Sequence, residues 1–208
     1  MRTARLFALS ALSVGLLAGA QSAMAYEAGD FIIKGGSATV DPQSKATSAA
    51  AASADNDTQL GLSFTYMATP RLGIEVLAAT PFDHDIQTAY GADTASTKHL
   101  PPTVTANFYP MGESNAAFQP FAGIGFNYTF FWDEEGHGDA LGGADVDLDD
   151  SWGIAYQLGA DYMISDNLGL GASVYYVDID TDLTVGGADY GTVELDPWVY
   201  RLNAVFKF

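Results

Sequence analysis

Lys34, Glu75, Asp161 and Arg201 each sit in a stretch where large apolar and small polar residues alternate, and each falls on the small polar face. Two cations and two anions enclosed together must pair, because an unpaired buried charge is costly. Such a set is a structural plug that interrupts an aqueous path, or else a proton or ion conduit.

Other candidate chemistry is thinner. The chain has three histidines, His84, His99 and His137. His84 and His99 can approach each other across one connection, with Ser96 near in sequence, but no GxSxG, HExxH or CxxC spacing accompanies them. A lipid hydrolase or acyltransferase is therefore disfavoured, no catalytic residue is assigned, and the blander reading is a histidine pair that orders a loop. Eight carboxylates lie between Asp133 and Asp150 with no lysine or arginine among them. Hard oxygen ligands at short spacing suit Ca²⁺, yet the EF-hand pattern with its distal Glu is absent, which favours a solvated acidic surface. No metal site and no cofactor are expected.

The elements that must position these residues are strands. At 59–67, Leu60, Leu62, Phe64 and Tyr66 alternate with Gln59, Gly61, Ser63 and Thr65; 121–131, 152–164 and 168–176 repeat the pattern. Further strands near 30–40, 72–80, 102–109 and 192–208 bring the set to eight. The larger face carries Leu, Phe, Tyr and Trp, and the other carries Gly, Ser, Thr, Asn and Gln. A soluble sandwich or lipocalin-like barrel would put the large side chains inside. Large residues outside and small polar ones inside fit a narrow eight-stranded transmembrane β-barrel, all-β and antiparallel.

Connection lengths agree. Links near 68–71, 110–116 and 165–167 are short, whereas those near 41–56, 82–98, 132–148 and 180–190 are long, the pattern of periplasmic turns and extracellular loops with both termini periplasmic. The Ala/Ser-rich piece at 44–55 belongs to the first long loop. The final segment, DPWVYRLNAVFKF at 196–208, ends on an aromatic with no polar tail, which is tolerable if its apolar face meets lipid and its aromatics join interfacial girdles.

Residues 1–25 read as a signal peptide: a basic start, an apolar stretch from Leu6 to Ala20, and Ala23-Met24-Ala25 before the cut. Residues 26–208 then form one barrel domain. Losing Arg2 and Arg5 from eight basic residues leaves six against 26 acidic ones, a net charge of −20. Nucleic acid is excluded as a partner. Cysteine is absent, so no disulfide staples the exported chain. Bacterial outer-membrane lipids and lipopolysaccharide are the expected surroundings, with divalent ions bridging the acidic loop to the latter. The outer-membrane assembly machinery is expected to engage the C-terminal strand ending at Phe208.

Six blocks in order, TQLGLSFTYMAT (58–69), EVLAATPF (75–82), HLPPT (99–103), DSWGIAYQLGADY (150–162), YVDIDT (176–181) and LDPWVY (195–200), together with GGSATV (35–40), resemble the OmpW family of small outer-membrane barrels and its AlkL-like alkane-uptake relatives. The resemblance covers essentially the whole chain after residue 25. It implies a hydrophobic channel for passive entry of small apolar molecules, with release through the barrel wall. By motif it assigns the channel constriction to Leu77 and Tyr175, both of which the alternation also turns inward. Tyr175 stands where the family usually has Trp, which predicts a smaller and more polar constriction. The charged set would then lie below this floor as an ionic plug. Pro81 ends one strand while Pro101 and Pro102 begin the next, and none can donate a ladder hydrogen bond. They either terminate strands at a long loop or weaken the wall into a lateral opening, and the resemblance favours the opening. The alternative function is a non-transporting surface barrel whose acidic loops act in adhesion or as a phage or colicin receptor.

Overall fold

The computed structural model describes residues 26–43, 45–46, 53–54, 56–88, 91–136 and 146–208. The expected signal peptide, His137 and much of the Ala/Ser-rich piece lie outside the described residues. β1 (Phe31–Asp41) leads through two short pieces, β2 (Lys45–Ala46) and β3 (Ser53–Ala54), to β4 (Asp57–Thr69) and β5 (Leu72–Ala79). β6 (Phe82–Thr88) and β7 (Gly91–Leu100) form a hairpin, followed by β8 (Thr103–Phe108) and the long β9 (Phe118–Gly136). After β10 (Val146–Leu148) come β11 (Ser151–Met163), β12 (Leu168–Val177), β13 (Asp180–Val185), β14 (Ala188–Glu194) and β15 (Trp198–Lys207).

Eight of these strands close a ring in the order β1, β4, β5, β8, β9, β11, β12, β15, and β15 returns to β1. Every pairing is antiparallel. Closure leaves no sheet edge to be satisfied by lipid. Phe208 answers for the bare terminus: its backbone N–H donates to Phe31 O at 2.8 Å and its carbonyl accepts from Phe31 N at 3.2 Å. The last residue is therefore paired with the first wall strand.

The faces divide as alternation predicts. Leu60, Phe126 and Leu202 are 63%, 70% and 68% exposed on the outer surface. Ser63, Thr65, Thr105, Asn107 and Gln157 are buried inside. Outside, Tyr128 meets Trp152 and Tyr176 meets Trp198 near the end bearing the long connections, here the loop end. Phe31 packs on Tyr66 near the opposite, terminal end, where Tyr26 and Phe208 lie. Two aromatic belts thus bracket an aliphatic band, the arrangement of a membrane-spanning barrel.

The long connections differ from the expected loops. β6 and β7 pair with each other, and β7 continues onto the outer half of β9, from Ala95 opposite Gly136 to Leu100 opposite Phe130. β13 and β14 form a second hairpin within a four-stranded sheet with β10 and β2. The predicted last strand over 192–208 is broken between Glu194 and Trp198, where Asp196 adopts a positive φ of 34° and Pro197 has no donor. These extensions project beyond the barrel and lack its sustained division into apolar and small polar faces, so they carry no strong period-two signal.

Candidate functional site

The barrel interior is layered. Toward the loop end lies a narrow apolar chamber of about 20 Å³, lined by the packed side chains of Ala38, Val40, Leu77, Tyr175, Val177 and Val199, with Phe82 and Pro101 beside them. These side chains come from four wall strands, β1, β5, β12 and β15, from β6 and from the link between β7 and β8. Leu77 and Tyr175 are both buried and face the same chamber.

Beneath them comes a polar layer. Lys34 Nζ lies 2.9 Å from Asp161 Oδ2 and 3.5 Å from Glu75 Oε2. Thr65 Oγ1 donates to Glu75 Oε2 at 2.9 Å, and Gln157 Nε2 donates to Glu75 Oε1 at 2.9 Å. Thr105 Oγ1 donates to Gln157 Oε1 at 3.0 Å. The Tyr175 hydroxyl also donates to Glu75 Oε1. That contact revises the expected polar constriction: the hydroxyl is turned into the layer below, and the ring is what lines the chamber.

The four predicted charges do not all pair as expected. Lys34 bridges both carboxylates, but Arg201 joins through neutral groups, donating from Nη1 to Ser63 Oγ at 3.3 Å and to the Tyr175 hydroxyl at 3.5 Å. Of these two oxygens the Tyr175 hydroxyl also donates to Glu75, which links the guanidinium to the rest of the layer. Toward the terminal end, a third layer of Tyr26, Ile32, Met67, Tyr109, Phe121, Met163 and Val205 closes the interior. Lys34 Nζ lies 4.2 Å from the Phe121 ring centroid, which joins the second layer to the third.

The wall carries an interruption beside the chamber. The β5–β8 ladder ends at Leu77 opposite Thr103, and the β6–β7 ladder begins at Phe82 opposite His99. Between them, residues 78–81 face 100–102 without ladder pairs. Pro81, Pro101 and Pro102 all fall in this window, and Ala79 and Pro101 line the chamber from it. On the far side the chain stays attached, since Tyr128 N donates to Pro102 O at 3.1 Å and Thr80 N donates to Leu60 O at 2.9 Å.

The register sets His99 opposite Phe82 and His84 opposite Thr97. The His99 ring lies on Phe82 at a centroid distance of 5.4 Å and near Phe131 at 5.9 Å. Alternation placed Gln157 inward without revealing its part in the network, and Tyr26 precedes any strand and had no periodic signal. Both act through partners across the barrel, which spacing along one strand does not encode.

At the loop end, Asp178, Asp180 and Asp196 hold carboxylate oxygens within 4.8 Å of one another. Partial burial, then the charges of Asp178, Asp196, Glu194 and Asp182, push the Asp180 carboxyl above its ordinary range. A carboxyl raised on folding destabilises the folded state above that raised value and leaves it unaffected below the unfolded value. Asp180→Asn is therefore expected to raise the thermal midpoint slightly near neutral pH, with the difference vanishing in acid; heat-modified mobility followed against pH checks it.

The profile of the OmpW family matches residues 27–208. Outer membrane protein W of Escherichia coli (strain K12) is 46% identical over 196 residues, spanning 90% of this chain and 92% of that protein. The crystal structure of the outer membrane protein OprG from Pseudomonas aeruginosa superposes with a TM-score of 0.81 at 41% identity, covering 88% of this chain and 98% of that one. The solution structure of E. coli Outer Membrane Protein W gives a TM-score of 0.64 at 43% identity, over 88% and 100% of the two chains.

Proposed function

The chain belongs to the OmpW family of outer-membrane proteins, and on that premise we propose that its barrel passively conducts small hydrophobic molecules, entered from the loop end and left sideways through the wall. The observation that carries this reading is a chamber with apolar walls, a blind floor and an unpaired side. Leu77 and Tyr175 constrict it, and the plug of Lys34, Glu75, Asp161 and Arg201 stands below. An apolar solute gains by leaving water for the chamber. It gains nothing by going on through a charged layer, where it would displace hydrogen bonds that it cannot replace. The window of Pro81, Pro101 and Pro102 opens instead toward lipid.

In this reading residues 1–25 direct export and are removed, residues 26–208 form the barrel, both termini are periplasmic, and the loop end faces the exterior. Lipid and lipopolysaccharide surround the apolar band, and the assembly machinery takes hold of the strand that ends at Phe208. The barrel conducts rather than catalyses.

Uptake of a radiolabelled small apolar compound by cells with matched surface expression tests the proposal. The parent is expected to accelerate uptake, and Leu77→Arg, which sets a cation at the chamber floor, is expected to return it to the level of cells lacking the protein. Replacing Pro101 and Pro102 together by threonine returns two backbone donors, of which the one at 101 faces the window, since residue 102 already bonds to Tyr128 on the other side, and uptake is expected to fall several-fold with the floor intact. Equal uptake by cells with and without the protein, across several solute sizes, would transfer the function to the acidic loops and to adhesion or receptor roles.

A further inference from the structure

Tyr26 stands ahead of the first wall strand, yet it is only 1% exposed. A polar-tipped aromatic at the edge of a domain normally stays at the surface unless something draws it in. Its hydroxyl donates to Asp161 Oδ2 at 2.7 Å, across 135 residues of sequence. Its ring meets Tyr109 edge-on, with centroids 5.2 Å apart at 87°, and Tyr109 in turn packs on Phe121 at 5.0 Å. Three rings thereby lie across the terminal end, directly against the Lys34–Asp161 pair.

The backbone that delivers Tyr26 is fastened on several sides. Glu27 N donates to Asp30 Oδ2 at 2.8 Å, and Asp30 N donates back to Glu27 O at 3.2 Å. Gly29 has φ 97°, a conformation open to glycine at little cost, and it lets the segment reverse into the mouth. Its N–H donates to Met67 O at 2.8 Å, while Met67 N donates to Asp30 O at 2.9 Å. Lys207 Nζ lies 3.7 Å from Asp30 Oδ2. The segment is thus tied to β4 and β15, on both sides of β1.

We infer that Tyr26 is a selectivity residue, a stopper whose ring seals the terminal end of the barrel and keeps water and small ions away from the buried Lys34–Asp161 pair. The polar layer alone would be a poor barrier, because charged groups open to solvent on one side recruit water. With the ring in place the layer stays enclosed between two apolar layers. The seal is independent of the solute proposed above, since it concerns the other end of the interior.

The chain contains no cysteine, so a single thiol reports on the seal. Val205 is buried in the same layer as Tyr26, and Val205→Cys nearly conserves its volume. Labelling of that thiol by a small cationic methanethiosulfonate is to be compared in the Val205→Cys parent and with Tyr26→Ala, Tyr26→Phe or Gly29→Val added, in folded protein verified by its heat-modifiable mobility. Tyr26→Ala is expected to label about tenfold faster than the parent, because thiol reactivity follows access. Gly29→Val, which strains the reversal and frees the stopper without altering its ring, is expected to do the same. Tyr26→Phe keeps the ring and should label near the parent's rate. Parental rates in both Tyr26→Ala and Gly29→Val would overturn the stopper, as would a Tyr26→Phe variant that labels as fast as Tyr26→Ala.

Discussion

Lys34→Met is expected to destabilise the folded barrel by about 3–5 kcal/mol, the range for breaking a buried ion pair by removing one partner. Methionine nearly preserves the stem volume, so the effect comes from the charge rather than from a cavity. Lys34 is the group that touches both carboxylates, at 2.9 Å for Asp161 and 3.5 Å for Glu75. Arg201 does not stand in for it, because it forms no ion pair with either carboxylate among the described residues and donates instead to Ser63 and the Tyr175 hydroxyl. Adding Asp161→Asn to Lys34→Met restores one cation against one anion and keeps an acceptor for the Tyr26 hydroxyl. The double variant is therefore expected to recover more than half of the loss, which is the coupling that a double-mutant cycle isolates. Urea unfolding in lipid vesicles, followed by the fluorescence of Trp132, Trp152 and Trp198, measures both. A single variant within about 1 kcal/mol of the parent, the range of exposed pairs, would mean that the layer is wet and that the plug reading is wrong.

The same residues show where sequence reasoning stops. Period-two alternation placed Lys34, Glu75, Leu77, Asp161, Tyr175 and Arg201 inside because a strand has only two faces, and in a closed barrel the two faces meet different solvents. Alternation gives a face and a height along the strand, but not the neighbour across the barrel. Glu75 takes hydrogen bonds from Gln157, 82 residues away, and from Tyr175, 100 residues away. The direction of the Tyr175 hydroxyl was not legible for that reason: it depends on Glu75, which lies on another strand. Tyr26 was missed because it belongs to no alternating run, and its burial follows from a reversal at Gly29 and anchors on β4 and β15. The hairpins beyond the barrel were read as loops because they have no lipid on one side to force an apolar face. The prolines were legible as ladder breaks, and the structure adds that those breaks lie side by side and border the chamber.

Gly36→Val is expected to prevent the barrel from closing, at a cost above about 4 kcal/mol, beyond ordinary overpacking. Gly36 sits on β1 opposite Asn203 on β15 and Gly61 on β4, at the seam where the first wall strand meets the last. A Cβ built there would come within 1.9 Å of Leu202 O and 2.8 Å of Asn203 Cα, both backbone atoms that no rotamer change can move. The strands would have to separate, exposing donors and acceptors along the line that closure protects from lipid. Gly35→Val is the control one residue away, because its Cβ would meet only the Leu62 side chain at 3.7 Å, an ordinary contact. On unheated gels Gly35→Val should give the compact, heat-modifiable band and Gly36→Val should give only the unfolded one. Equal yields of compact barrel would show that the seam yields to a side chain, and that the small inner face at Gly36 answers to something other than closure.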